Sequence, residues 1–185
     1  MLLDIGFLDD ATRPTVPRLE GLTQAQRAPG EHLKEVHDHL RENMRTIRTI
    51  MQRAAEGLAT PAEVTAETQS LSLVANFRRF GTLCGQHCRI VNTHHSLEDA
   101  YIFPTLAEQS EGYRRVTERL QAEHQIVHAL LLEQIEALDL LAASPNPTRF
   151  AEARAVYEAL ERVLLSHLGY EEDQIGDALG YFAIA

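Results

Sequence analysis

Between His32 and Gly57 the apolar residues recur at Leu33, Val36, Leu40, Met44, Ile47 and Met51, steps of three and four that draw a single stripe along a helix. Gly57 and Pro61 interrupt it. Thr60, Pro61 and Glu63 then read as a cap, a first-turn proline and an early acid, and open a helical pattern that lasts to about Ala107. Its stripe passes through Val74, Phe77, Phe80, Cys84, Cys88 and Val91, and Pro104 is expected to kink or end it. Gly112 opens a third helix with Val116, Leu120, Val127, Leu131, Ile135 and Leu138 on its face, ending near Ala143. After the loop SPNP at 144–147, a fourth runs from about Thr148 through Ala153, Val156, Tyr157, Leu160 and Leu164 to Glu172, and Gly176 and Gly180 break up a short tail. No segment alternates with the period of a strand. Four long amphipathic helices with short connections predict an all-α fold, an up-down-up-down antiparallel four-helix bundle over residues 32–185. Pro14, Pro17 and Pro29 mark residues 1–31 as an N-terminal extended arm, with a short turn of helix at GLTQAQR.

Composition narrows the functional classes. With 185 residues, 44% hydrophobic and 24% charged, the chain suits one domain with a full core. The net charge of −10 argues against nucleic acid and anionic lipid as partners, since no basic run exceeds Arg78-Arg79 or Arg114-Arg115. The opening MLLDIGFLDD carries acids where a secretion signal needs basic residues, and no apolar run nears the roughly 20 residues of a membrane helix. A cytoplasmic protein is the expectation. Cys84 and Cys88 lie one helical turn apart, where a disulfide would constrain little, so reduced thiols are expected.

The stripes also carry chemistry. His37 falls between Leu33, Leu40 and Met44, whereas His39 points outward. His94 extends the line of His87 and Val91, with Glu98 four residues on; His95 and Asp99 repeat that spacing one step around the helix. His124 and His128 are placed with Leu120 and Leu131, and His167 follows Leu160 and Leu164, with Glu171 and Glu172 a turn beyond. Burying five imidazoles and two carboxylates is costly unless they are paired or coordinate a metal. They are too many for one tetrahedral ion, and imidazole with carboxylate suits iron or manganese. A carboxylate bridging two such ions would hold them close enough to bind one small molecule.

These segments, VHDHLR, HHSLED, HQIVH and HLGYEED on four successive helices, resemble hemerythrin and the HHE cation-binding proteins over about residues 32–175. The resemblance implies two Fe ions with a bridging oxo or hydroxo group, with Mn or Zn as substitutes. By the same resemblance His124, His128 and His167 would hold one iron, His37 and His94 the other, and Glu98 with Glu171 or Glu172 would bridge. It implies a non-heme diiron protein that binds O2 or a related small ligand, nitric oxide or peroxide, for storage, delivery or sensing. The alternative is a diiron oxidase or peroxidase acting on peroxide or a small organic substrate. Either is compatible with a homo-oligomer.

Overall fold

The structure, a computed structural model, describes residues 5–59 and 87–184. The expected helix start at Thr60 and Pro61 and the stripe positions Val74, Phe77, Phe80 and Cys84 lie outside the described residues. Among the described residues the protein is helical, with four long helices and no strand. Helix α1 spans Gln24–Ala59, α3 Glu111–Ala143 and α4 Pro147–Tyr181. Helix α2 is α-helical over 87–97, forms a π turn over Glu98–Ile102 and returns to α geometry over Phe103–Ala107. None of the described helices is long and apolar enough to cross a membrane.

The helix starts follow from local chemistry. The Ser110 hydroxyl accepts the Tyr113 N–H at 3.2 Å, and the Asn146 side chain accepts the Arg149 N–H at 3.0 Å ahead of Pro147. Helix α1 begins at Gln24, well before the expected His32. Thr23 and Gln26 explain this as a reciprocal pair: the Gln26 N–H donates to the Thr23 hydroxyl at 3.3 Å, and the Thr23 N–H donates to the Gln26 side chain at 3.1 Å. Pro29 therefore sits inside the helix. It cannot donate to the carbonyl of Ala25, which lies on the exposed side of the first turns, where water can serve instead.

A second correction concerns the last helix, which runs through Gly176 and Gly180 to Tyr181. Here the glycines permit close approach. A Cβ on Gly180 would lie 1.8 Å from the Gln26 carbonyl oxygen, and one on Gly30 would lie 2.5 Å from that of Gly176. Backbone thus meets backbone along a seam between α1 and α4. Gly180→Ala should destabilise the fold by about 1–3 kcal/mol, because the obstacle is main chain rather than a movable side chain. Chemical denaturation checks this, and unchanged stability would mean that the two helices can separate freely at this end.

Pro104 does not end α2. The π turn just ahead of it has the Phe103 N–H bonded to the Glu98 carbonyl, a five-residue reach that accommodates the proline ring and its missing donor. The core is layered. At one end Ile47, Met51, Leu138, Phe150 and Tyr157 pack together, with the Tyr157 hydroxyl donating to the Met44 carbonyl at 2.8 Å. A middle cluster holds Leu40, Met44, Val91, Val127, Leu160 and Leu164, and a third holds Leu33, Phe103, Leu120, Ile175 and Leu179. In α1, α2 and α3 the histidines His37, His94 and His124 fall between the contributions to the second and third clusters, and in α4 His167 lies near the same boundary, so the polar groups form a layer between two apolar ones.

Candidate metal centre

Two groups of ligand-type side chains among the described residues lie in that layer. One is His95, His124 and His167; the other is His37, His94, Glu98 and Glu171, and within each group the ligand-type atoms lie within 4.8 Å of one another. The two groups adjoin. His95 stacks on His124 with ring centroids 3.8 Å apart, and its ring centroid is 5.6 Å from that of its neighbour His94. Consecutive residues on a helix point about 100° apart. With His94 directed at His37 of α1 and His95 at His124 of α3, one helix serves both groups.

The carboxylates span them. One oxygen of Glu98 lies 3.2 Å from His94 Nε2 and the other 3.7 Å from His124 Nε2. Glu171 Oε2 lies 3.5 Å from both His37 Nε2 and His167 Nε2. Each carboxylate therefore reaches one histidine of each group, the placement a bridging ligand requires. Both are almost completely buried, and none of their four oxygens has a hydrogen-bond partner.

Electrostatics at the centre favours a cation. Burial, reinforced for Glu98 by the adjacent Glu171, pushes the Glu98 carboxyl well above its ordinary value, and burial carries Glu171 up to about 8. Burial also lowers His37 and His94 to about 3, His167 to about 4 and His95 well below its usual range. These four rings are therefore neutral at pH 7. His124 Nδ1 faces Asp99 Oδ1 and His167 Nδ1 faces Glu123 Oε2, each at 3.0 Å. A carboxylate accepts, so each Nδ1 carries the hydrogen and each Nε2 keeps a bare lone pair. Those two Nε2 atoms face one another at 3.0 Å. Two lone pairs at that distance repel unless a cation stands beside them. His37 Nδ1 likewise donates to Glu172 at 2.8 Å, which leaves its Nε2 lone pair turned toward His94 Nε2 at 3.0 Å. The donor set, five imidazoles and two carboxylates with orphaned buried oxygens, fits a pair of hard-to-borderline cations.

Two expected positions lie elsewhere. His128 is exposed, with its Nδ1 3.2 Å from the Asn92 side-chain oxygen, and does not join His124 and His167. The buried face of α3 runs through Leu120, His124, Val127, Leu131, Gln134 and Leu138, which leaves residue 128 outside; Ile135, expected inside, is 43% exposed. Glu172 stays beside the centre. Its carboxylate accepts from His37 and, at 2.7 Å, from Arg41, a support for the histidine rather than a member of either group. The structure brings His37, His94, Glu98, His124, His167 and Glu171 together and adds His95, which the sequence stripe set one step around. Asp99 and Glu123 were also missed as partners of the rings. For Asp99 the four-residue spacing from His95 was a signal; for Glu123 none was visible, because the ring it holds, His167, is 44 residues away.

The neighbours are quieter. His87 is buried without a hydrogen-bond partner among the described residues and lowered by burial to about 4, while burial raises the Cys88 thiol to about 11. Neither side chain belongs to the two groups.

Helices carrying paired histidine and carboxylate groups define a cation-binding helical protein. The chain matches the hemerythrin HHE cation binding domain over residues 31–179, and it belongs to that family. No curated protein and no solved structure gives a match.

Proposed function

We propose that the protein holds two iron ions and binds O2 or a related small ligand, nitric oxide or peroxide, for storage, delivery or sensing. One observation carries the reading: Glu98 and Glu171 each reach a histidine of both groups, at 3.2–3.7 Å. His95, His124 and His167 would hold one ion, His37 and His94 the other, and the two carboxylates would bridge. An iron pair supplies electrons that a small oxygen or nitrogen ligand can accept and return. Manganese or zinc could occupy the same donors. The up-down-up-down arrangement, with an arm at 1–31 and a bundle body at 32–185, belongs to the same proposal, the arm's last residues from Gln24 being wound into α1.

The protein side of the reaction is positioning. Asp99, Glu123 and Glu172 hold ring hydrogens at Nδ1 and so aim Nε2 lone pairs inward. Val91, Val127, Leu164, Phe103 and Leu120 exclude water above and below. A cavity of about 230 Å³ between α2 and α3, lined by Asn92, His95, Ser96, Asp99, His124 and His128, gives a few-atom ligand access from solvent. Metal analysis of the iron-loaded protein should find two ions per chain. Anaerobic reduction followed by O2 should then give an oxygen-dependent absorption band that disappears when the gas is removed. No bound metal would end this reading, and irreversible oxidation would replace the carrier or sensor by an enzyme.

A further inference from the structure

The segment ahead of α1 does more than cover the helices. Arg13 donates Nε to Glu123 Oε1 at 2.8 Å and Nη2 to Glu123 Oε2 at 3.0 Å, a two-pronged contact, and Nη1 to the Ser166 hydroxyl at 2.9 Å. Its guanidinium lies 4.6 Å over the ring of Tyr170, whose hydroxyl donates to the Pro14 carbonyl at 2.7 Å. The Arg13 side chain is 14% exposed and that of Glu123 5%. Glu123 Oε2 is the oxygen that accepts the His167 Nδ1–H. An unbroken line of hydrogen bonds therefore joins residue 13 to a ring of the three-histidine group.

A second arginine reinforces it. Arg119 donates to Glu123 Oε1 at 2.7 Å and also holds the Thr12 hydroxyl and the Asp9 carbonyl, each at 2.9 Å. The other rings are supported differently. His124 leans on Asp99 and His37 on Glu172 with Arg41, all from the helices themselves. Among the described residues, His167 alone is held through a carboxylate that a residue from outside the helices clamps.

We propose that Arg13 is a positioning residue for the metal ion held by His95, His124 and His167: it clamps Glu123, which fixes the orientation and tautomer of His167, and its charge limits the electron density that the Glu123–His167 pair passes to the ion. This rests on the metal-centre reading above. Without the guanidinium, Glu123 keeps one cationic partner, pulls harder on the Nδ1 hydrogen and makes Nε2 a stronger donor. Iron(III) gains more from that donor than iron(II) does.

The test uses the full-length iron-loaded protein and reads two quantities, the rate of iron loss to a chelator and the midpoint potential for one-electron reduction of iron(III) to iron(II), the electron coming from an electrode. Arg13→Gln should lose one of its two irons about tenfold faster than the parent and show a lower midpoint potential. Arg13→Lys, which keeps the charge but not the two-pronged contact, should recover the potential more fully than the release rate. Glu123→Gln removes negative charge from the same line and should move the potential upward. Gln174→Leu releases the Val16 N–H, another anchor of the segment at 2.9 Å, and should match the parent in both readouts. Parent behaviour in Arg13→Gln would overturn the inference. So would potentials that shift in one direction in Arg13→Gln, Glu123→Gln and Gln174→Leu alike, since that pattern reports loosened packing. An iron-free parent would overturn the metal-centre reading itself and the inference with it, a result visible before any variant is made.

Discussion

Glu171→Met is expected to leave at most one metal ion per chain, and yet, with a chelator present, to unfold at a higher temperature than the parent protein. The two halves of this result share one cause. Glu171 is fully buried, its oxygens have no hydrogen-bond partner, and burial drives its carboxyl up to about 8. A buried polar group left without a partner costs about 1–3 kcal/mol even when it escapes charge by staying protonated, and an apolar residue of similar volume removes that cost. For a chain of this size each kcal/mol corresponds to about 2–4 °C in Tm. With metal present the sign reverses, because the parent gains binding free energy that the variant lacks. Metal analysis together with thermal unfolding, with and without chelator, reads both effects. A variant that retains two ions would remove Glu171 from the centre, and one that is less stable than the parent under both conditions would make it an ordinary structural residue.

The second large effect separates two histidines of α2 and α3. His95→Ala should cost at least one ion per chain, exceeding the about 10–100-fold loss of affinity typical when a residue that merely supports a ligand is removed. His128→Ala should keep both ions and lose only the exposed contact with Asn92. His95 has a buried Nε2 without a hydrogen-bond partner and stacks face to face on His124. Metal content in the two purified variants decides the matter. The opposite outcome, metal lost from His128→Ala and kept in His95→Ala, would require α3 to be turned about its axis.

How far the sequence could be read depended on where helical phase was over-determined. In α1, Leu33, Leu40 and Met44 bracket His37 on both sides, and His37 is wholly buried. In α4, Leu160 and Leu164 lead to His167 and Glu171 with one period, which also leaves Glu172 beside the centre. The phase of α3 was looser. Two histidines at a metal-binding spacing suggested a shared face, but Val127 and the buried Gln134 set that face one residue earlier, and His128 turned outward with Ile135. For His95 a single stripe was the wrong template, because α2 sits between two partners and presents adjacent residues to each. Gly176 and Gly180 illustrate a different ambiguity. Glycine signals both a chain break and a close approach, and only the opposing backbone of Gln26 and Gly30 tells the two apart. The turn of helix expected at GLTQAQR is present, closed by the Thr23–Gln26 pair, but Pro29 hid its continuity with the rest of α1. Arg13 had no local signature, since its partner is 110 residues away.

The π turn in α2 acts as a phase shifter. In an uninterrupted α-helix Phe103 would point about 140° away from Glu98, at about 100° per residue. Here the carbonyl of the first bonds the N–H of the second, the turn is one residue wider, and both side chains are 1% exposed. The segment before the turn presents His94, His95 and Glu98, and the segment after it presents Phe103 and Leu106 to the apolar layer below. A one-residue deletion within Glu98–Ile102 would remove the wider turn and throw the two halves out of register by about 100°, so that either the ligand set or the apolar seal beneath it faced the core, but not both. Chain length in this stretch is therefore constrained to the single residue, in a way that no substitution at any one of its positions would reveal.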